Sequence, residues 1–173
     1  MISRFVLIST WHVHAPLGRV WEALWSIERW PRWWPQLATV ECLVRGDPSG
    51  VGAQHRLVWR TRVGYRFSTV VTTLRVDEPR EIEGSAGGDV AGKGLWTLDD
   101  FDGSTTHVTY RWDVRLERRW MRVCAPILRP LFARNHFAVM RGGALGLGRE
   151  LGCAVETSDD WAGSPRFAGV VGS

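Results

Sequence analysis

Residues 105–117, TTHVTYRWDVRLE, alternate without a break. Val108, Tyr110, Trp112, Val114 and Leu116 fall on one side of the pleat, and His107, Thr109, Arg111, Asp113, Arg115 and Glu117 on the other. A period of two marks a half-buried β-strand, so the even set faces a core and the odd set faces water. The period then changes. From Pro130 to Leu151 the residues Ala133, Phe137, Met140, Ala144, Leu147 and Leu151 are spaced 4-3-4-3-4, one stripe of an α-helix laid on something apolar. Pro130 suits the first turn of that helix, where its missing N–H does no harm.

Working back from this strand, five more extended runs are expected at about 91–101, 80–86, 65–77, 53–63 and 38–45. Their breaks are Asp102-Gly103, Gly84 to Gly88, Glu78-Pro79, Gly64, and the turn Gly46-Asp47-Pro48-Ser49-Gly50. Asp102-Gly103 between two alternating runs is a strong hairpin signal. The period of two places Val70, Thr72, Leu74 and Val76 on one face, Trp96 and Leu98 on another, and His55, Leu57 and Trp59 on a third. At the N-terminal end, FVLISTWHVH (5–14) reads as a strand. Leu17, Val20, Trp21, Leu24 and Trp25 then form the apolar face of a helix over 17–27. Pro31 and Pro35 bound a short helix or turn holding Trp30, Trp33 and Trp34.

The predicted order is strand, helix, short helix, six strands, long helix. This is an α+β architecture: a curved antiparallel sheet of about seven strands around a long C-terminal helix. Such a sheet leaves a concave, mostly apolar space of the kind that holds small ligands. Residues 1–155 read as one domain, and 156–173, rich in Gly, Ser and Asp, as a loose tail.

Composition agrees with a globule of this size. The chain has 173 residues, 45% hydrophobic and 23% charged, enough for one core without disulfide or metal staples. Tryptophan is the outlier, 11 against 2 tyrosines, a residue suited to the walls of a core or of a pocket for flat apolar groups. The net charge is +4, but the arginines alternate with apolar residues as on solvated strand faces. No recognition motif accompanies them, so nucleic acid is not an expected partner. Cys42, Cys124 and Cys153 are odd in number and far apart, which argues against a disulfide framework or a zinc site and for a reducing cytoplasm. The run Phe5-Val6-Leu7-Ile8 is too short for a signal peptide, and no stretch approaches the roughly 18 apolar residues of a membrane span. No cofactor is implied.

Specific residues add a resemblance. Trp11-His12-Val13-His14-Ala15-Pro16, then Val20-Trp21-Glu22-Ala23-Leu24 and Trp30-Pro31-Arg32-Trp33-Trp34-Pro35, form an N-terminal signature. Gly94-Leu95-Trp96-Thr97-Leu98, the Gly103-Ser104-Thr105 turn and the Met140-Gly143-Leu147 helix face complete it. Over about residues 5–152 the chain resembles the START-like helix-grip superfamily, and within it the bacterial polyketide cyclase/dehydrase and lipid-transport (SRPBCC-type) group. The resemblance implies an internal cavity. It leaves open a carrier or sensor of a lipid-like or aromatic molecule, an aromatase/cyclase or dehydratase guided by polar cavity residues, and a protein-interaction module with a filled cavity.

The expected cavity wall comprises Trp34, His55, Leu57, Trp59, Val70, Thr72, Leu74, Trp96, Tyr110, Trp112, His136, Phe137 and Met140. If the site is catalytic, His55 is the base or donor, since a neutral imidazole does either. Tyr110 offers a hydroxyl from an apolar body. His12-x-His14 lacks a third metal ligand, and Asp99-Asp100-Phe101-Asp102-Gly103 lacks the closing Glu of a calcium loop. Gly142, Gly143, Gly146, Gly148 and Gly152 imply close approach of the last helix to the sheet, or a soft helix that bends to admit ligand. Arg115, Arg118, Arg119, Trp120 and Arg122 form a basic rim suited to transient contact with a membrane surface, an anionic head group or an acyl carrier protein.

Overall fold

The computed structural model describes residues 4–60, 66–88, 91–115 and 125–162. The elements in order are β1 (Arg4–Val13), α1 (Leu17–Trp25), a 3-10 turn (Ile27–Arg29), α2 (Trp30–Trp33), β2 (Leu37–Val44), β3 (Gln54–Arg60), β4 (Arg66–Asp77), β5 (Glu81–Gly88), β6 (Ala91–Asp100), β7 (Thr106–Arg115), α3 (Ala125–Leu151) and β8 (Val155–Ala162). All eight strands belong to one sheet, ordered β2-β3-β4-β5-β6-β7-β1-β8, and every neighbouring pair is antiparallel. The helix-grip fold implied by the resemblance, with the element order read from the periods, is the fold observed.

The inward set of β7 follows its alternation: Val108 and Val114 are fully buried, and Trp112 pairs with Gly94 while Tyr110 pairs with Trp96; of the set expected to face water, Asp113 is buried instead. Asp102 shapes the hairpin before β7. Its Oδ1 accepts from the backbone N–H of Ser104 and Thr105, and Gly103 takes a φ of 79°, so it is an Asx turn and not a calcium loop.

Three local readings differ from the structure. The glycine run 84–88 does not break the sheet; it lies inside β5, paired with both β4 and β6. On β4 the ladder slips between Thr73 and Arg75. One extra residue in a strand reverses which side chains face inward, and the inward set before the slip is Thr69, Val71 and Thr73, with Val76 inward after it. Val70, Thr72 and Leu74 therefore face away from the cavity, and Leu74 is 39% exposed.

The third difference concerns α3 and the segment beyond it. The helix starts at Ala125, so Pro130 lies inside it and removes one intrahelical hydrogen bond. Its end is a full Schellman cap. Gly152 has φ 67°, its N–H bonds the Arg149 carbonyl, and the Cys153 N–H bonds the Gly148 carbonyl, satisfying carbonyls the helix would orphan. The chain then turns into β8, so 156–162 form a strand where composition predicts a loose tail, and 163–173 lie outside the described residues. Residues 155–162 pair with β1 from Val13↔Val155 to Val6↔Ala162. The described side chains of β8 from Glu156 to Asp159 are exposed, as suits an edge strand guarded by charge.

The core is a tryptophan cluster between sheet and helices. Trp11 and Trp34 are at most 2% exposed, with ring centroids 5.9 Å apart at 65°, and Trp96 lies 5.4 Å from Trp11 at 62°. Edge-to-face geometry of this kind adds about 0.5–1.5 kcal/mol per pair beyond burial. The helix glycines explain how α3 reaches the cluster. A Cβ on Gly143 would lie 2.5 Å from the Trp34 ring, and one on Gly146 would run into the Trp33 carbonyl. The close approach is therefore to α2 and its flank at these two glycines, and to β8 of the sheet at Gly148, where a Cβ would lie 3.1 Å from Val155 Cγ2.

Candidate functional site

Two adjoining cavities lie between the sheet, the turn after α1 and α3. The larger, about 430 Å³, is bounded by Trp25, Ile27, Glu28 and Arg29 above, by Ala53 and, on β3, His55, and by Val71, Thr73, Gly84, Ser85, Ala86 and Gly94 of β4 to β6. The smaller, about 150 Å³, runs under α3 between Trp34, Leu57, Trp59, Phe67, Thr69, Trp112, Phe132, Asn135, His136, Val139 and Met140. Ile27, Trp30, Val71, Ala86, Trp96 and Tyr110 border both.

The space exists because β5 and β6 present almost no side chain where it opens. Gly84, Ala86 and Gly94 form the floor. Tyr110 folds down across Gly94, where a Cβ would lie 2.5 Å from the hydroxyl, and Trp112 lies over Gly92 in the same way, 2.6 Å from Nε1. With the floor stripped to backbone, the two large rings lie flat along the sheet. The walls are rigid: Trp34 Nε1 donates to the Val139 carbonyl at 3.0 Å, Trp59 Nε1 to Thr69 Oγ1 at 3.2 Å, and Trp30 Nε1 to the Leu24 carbonyl at 3.1 Å. With those N–H groups satisfied, these indoles offer the cavity apolar faces.

The polar groups are few and differ in state. Burial lowers the pKa of His55, opposed by Glu28, whose Oε1 is 3.7 Å from Nε2. Burial raises that of Tyr110 far above the usual phenol value, so its hydroxyl stays protonated. Burial among aromatic rings lowers the pKa of His136 to about 3. Its Nε2 and the Trp112 Nε1 are both buried without a partner among the described residues, and the two rings are 5.0 Å apart. The deep part of the cavity thus holds neutral donors and acceptors rather than charges.

Of the expected wall, the structure brings together Trp34, His55, Leu57, Trp59, Trp96, Tyr110, Trp112, His136 and Met140. Phe137 is turned elsewhere. It packs with Leu7, Val114 and Ala133 in a separate small cluster, because one helical residue past His136 rotates the side chain about 100° off the cavity. Val70, Thr72 and Leu74 are displaced by the β4 slip described above. Sequence reasoning missed the roof, Trp25 to Trp30, where Gly50 with φ 83° packs on the Trp25 ring. It also missed the floor of β5. The run Gly84-Ser85-Ala86-Gly87-Gly88 was the signal for that floor, a strand whose small residues leave room.

One donor set stands at the mouth. Glu28, Cys42 and His55 place an oxygen, a sulfur and a nitrogen within 4.8 Å of one another. The pair His12 and His14 is not such a set: His12 stacks on His107 at 4.1 Å, and His14 faces Glu156 at 3.6 Å. The rim of Arg118, Arg119, Trp120 and Arg122 lies outside the described residues, as does Cys124. Among the described residues no helix is long and apolar enough to cross a membrane.

Comparison with known proteins agrees with this architecture. A START superfamily protein from Mycobacterium smegmatis superposes with a TM-score of 0.71 at 17% identity, over 85% of this chain and 99% of that one. The Zhui aromatase/cyclase from Streptomyces sp. R1128 gives 0.66 at 20% identity, over 84% and 93%. No curated protein sequence is significantly similar to the chain. The sequence family described as polyketide cyclase/dehydrase and lipid transport matches residues 6–150, nearly the whole folded unit with its hollow sheet and gripping helix, and the chain belongs to that family.

Proposed function

We propose that the chain binds a flat, largely apolar small molecule, lipid-like or aromatic, in the paired cavities, as a carrier or sensor. The observation that carries this reading is the stripped floor of β5 and β6 opposite walls of hydrogen-bonded tryptophan. The larger space, about 430 Å³, lies within the range of small-molecule sites, and a few neutral polar tips would set the ligand's orientation. Free Cys42 and Cys153 suit a reducing compartment such as the cytoplasm. A second reading, an aromatase/cyclase or dehydratase, is favoured by one pair of groups. His55 and Tyr110 line the same cavity, an imidazole that burial inclines to its neutral form and a protonated phenol able to donate to a carbonyl oxygen.

Native mass spectrometry of the purified chain, with organic extraction of anything bound, is the test. A retained apolar molecule that quenches tryptophan fluorescence on rebinding is the expected result. Tyr110→Phe should then weaken binding by about fivefold, one neutral hydrogen bond. Loss of turnover with binding intact in His55→Ala would favour the enzyme. An empty protein with no fluorescence response to fatty acids, sterols or aromatic polyketides would overturn both readings.

A further inference from the structure

We propose that Glu28, Cys42 and His55 form a zinc-binding site at the mouth of the larger cavity, with one coordination position open to it. The three donors come from three elements that the fold brings to one place. Cys42 of β2 stands directly opposite His55 of β3 in the ladder, and directly opposed residues leave the sheet on the same face. Glu28 comes down from the turn between α1 and α2, and its Oε1 lies 3.7 Å from His55 Nε2. Glu28 and His55 both line the cavity, so a metal held between them borders that space.

The chemistry of the set selects the ion. Thiolate with imidazole does not suit magnesium or calcium, which take oxygen donors, and does suit zinc. Thiolate plus carboxylate carries two negative charges, which balance a divalent cation. Zinc bonds of roughly 2.0–2.3 Å in a tetrahedron put donor atoms about 3.3–3.8 Å apart. The His55–Glu28 separation of 3.7 Å already meets that spacing. The widest separation in the set is within 4.8 Å, and the exposed Cys42 and Glu28 side chains need only a small rotation to close it. Cys42 gives up little by turning, since its present partner is the Val44 carbonyl at 3.7 Å, a weak thiol contact. Three protein ligands leave a fourth position for water or for an oxygen of the cavity's occupant, the pattern of zinc sites that do chemistry rather than hold a fold together.

The reduced 173-residue chain titrated with Co²⁺, then competed with Zn²⁺, tests this directly. The expected result is uptake of one ion per chain, with a thiolate-to-cobalt charge-transfer band that Zn²⁺ abolishes. Cys42→Ser should remove the band, Glu28→Gln should weaken Zn²⁺ binding by about tenfold or more, and a Cys124→Ser/Cys153→Ser double variant should change neither. Circular dichroism of each variant checks that the fold is intact, which exposed positions such as Cys42 and Glu28 favour. Absence of one-to-one uptake overturns the site, as does a band that persists in Cys42→Ser or disappears with the other two cysteines. The assay uses metal alone, so its failure is distinguishable from failure of the apolar-ligand reading.

Discussion

Two parts of this molecule are rich in small residues, and they end in opposite states. In α3, Gly143 and Gly146 face Trp34 and Trp33, which come so close that a methyl group has no room. In β5, Gly84 and Ala86 line the larger cavity, although a Cβ on Gly84 would already touch Val71 and the Thr72 carbonyl of β4. A missing side chain is thus permission for approach, and the outcome depends on whether anything approaches. Under α3 the indoles of α2 and its flank fill the gap and the region is solid. Over β5 and β6, Tyr110 and Trp112 lie down on Gly94 and Gly92, nothing descends from the opposite side among the described residues, and the region is hollow. The solid half should govern stability and the hollow half ligand affinity.

The largest expected effect falls on the solid half. Trp34→Ala should cost about 3–5 kcal/mol in urea unfolding, because Trp34 is 2% exposed, contacts Trp11, Trp30, Trp33, Trp59 and Trp96, and bonds the Val139 carbonyl. A cost near zero would erase the contrast between the halves. His136, on the boundary, sharpens it through pH. Its folded pKa, about 3, lies below its ordinary value of 6.5, so the unfolded chain binds the proton more readily. Stability is then full above pH 6.5 and falls as pH drops toward 3, by about 2 kcal/mol near pH 5 for this group alone. His136→Phe should flatten that part of the urea-midpoint profile; an unchanged slope would place the proton elsewhere. The smallest stability effect belongs to the hollow half. Ala86→Leu should change unfolding by less than about 1 kcal/mol, because its methyls enter free space, yet reduce ligand affinity about tenfold by filling it. Equal losses in both would mean that the floor is packed after all.

Legibility in the sequence divides along the same line. Alternation in 105–117 identifies the inward residues of β7, and His55, Leu57 and Trp59 share the face that period two assigns them, because neither strand is interrupted within those runs. Val70, Thr72 and Leu74 escape the pattern because the β4 slip is decided by pairing with β5, a non-local event that leaves no mark in the local sequence. Gly84 to Gly88 read as a break because glycine is a poor strand former in isolation; two neighbouring strands hold it in the sheet. The exposed segment 156–159 carries no hydrophobic period, since an edge strand needs only one partner and no buried face there. The mouth cluster joins positions 28, 42 and 55, which only the fold makes neighbours.

The place of β1 also sets a timetable. It lies between β7 and β8, paired from Val13↔Thr106 and Val13↔Val155 onward, so both flanks of the unit's first strand come from the last of its parts to be synthesised. Until residue 106 and beyond leave the ribosomal exit tunnel, the apolar run Phe5-Val6-Leu7-Ile8 has no partner on either side. Pairings this distant in sequence are slow to close, and a nascent chain with an open hydrophobic strand invites pairing with other chains. For this protein, exposure of β1 to chaperones and to premature association is built into the order of its strands.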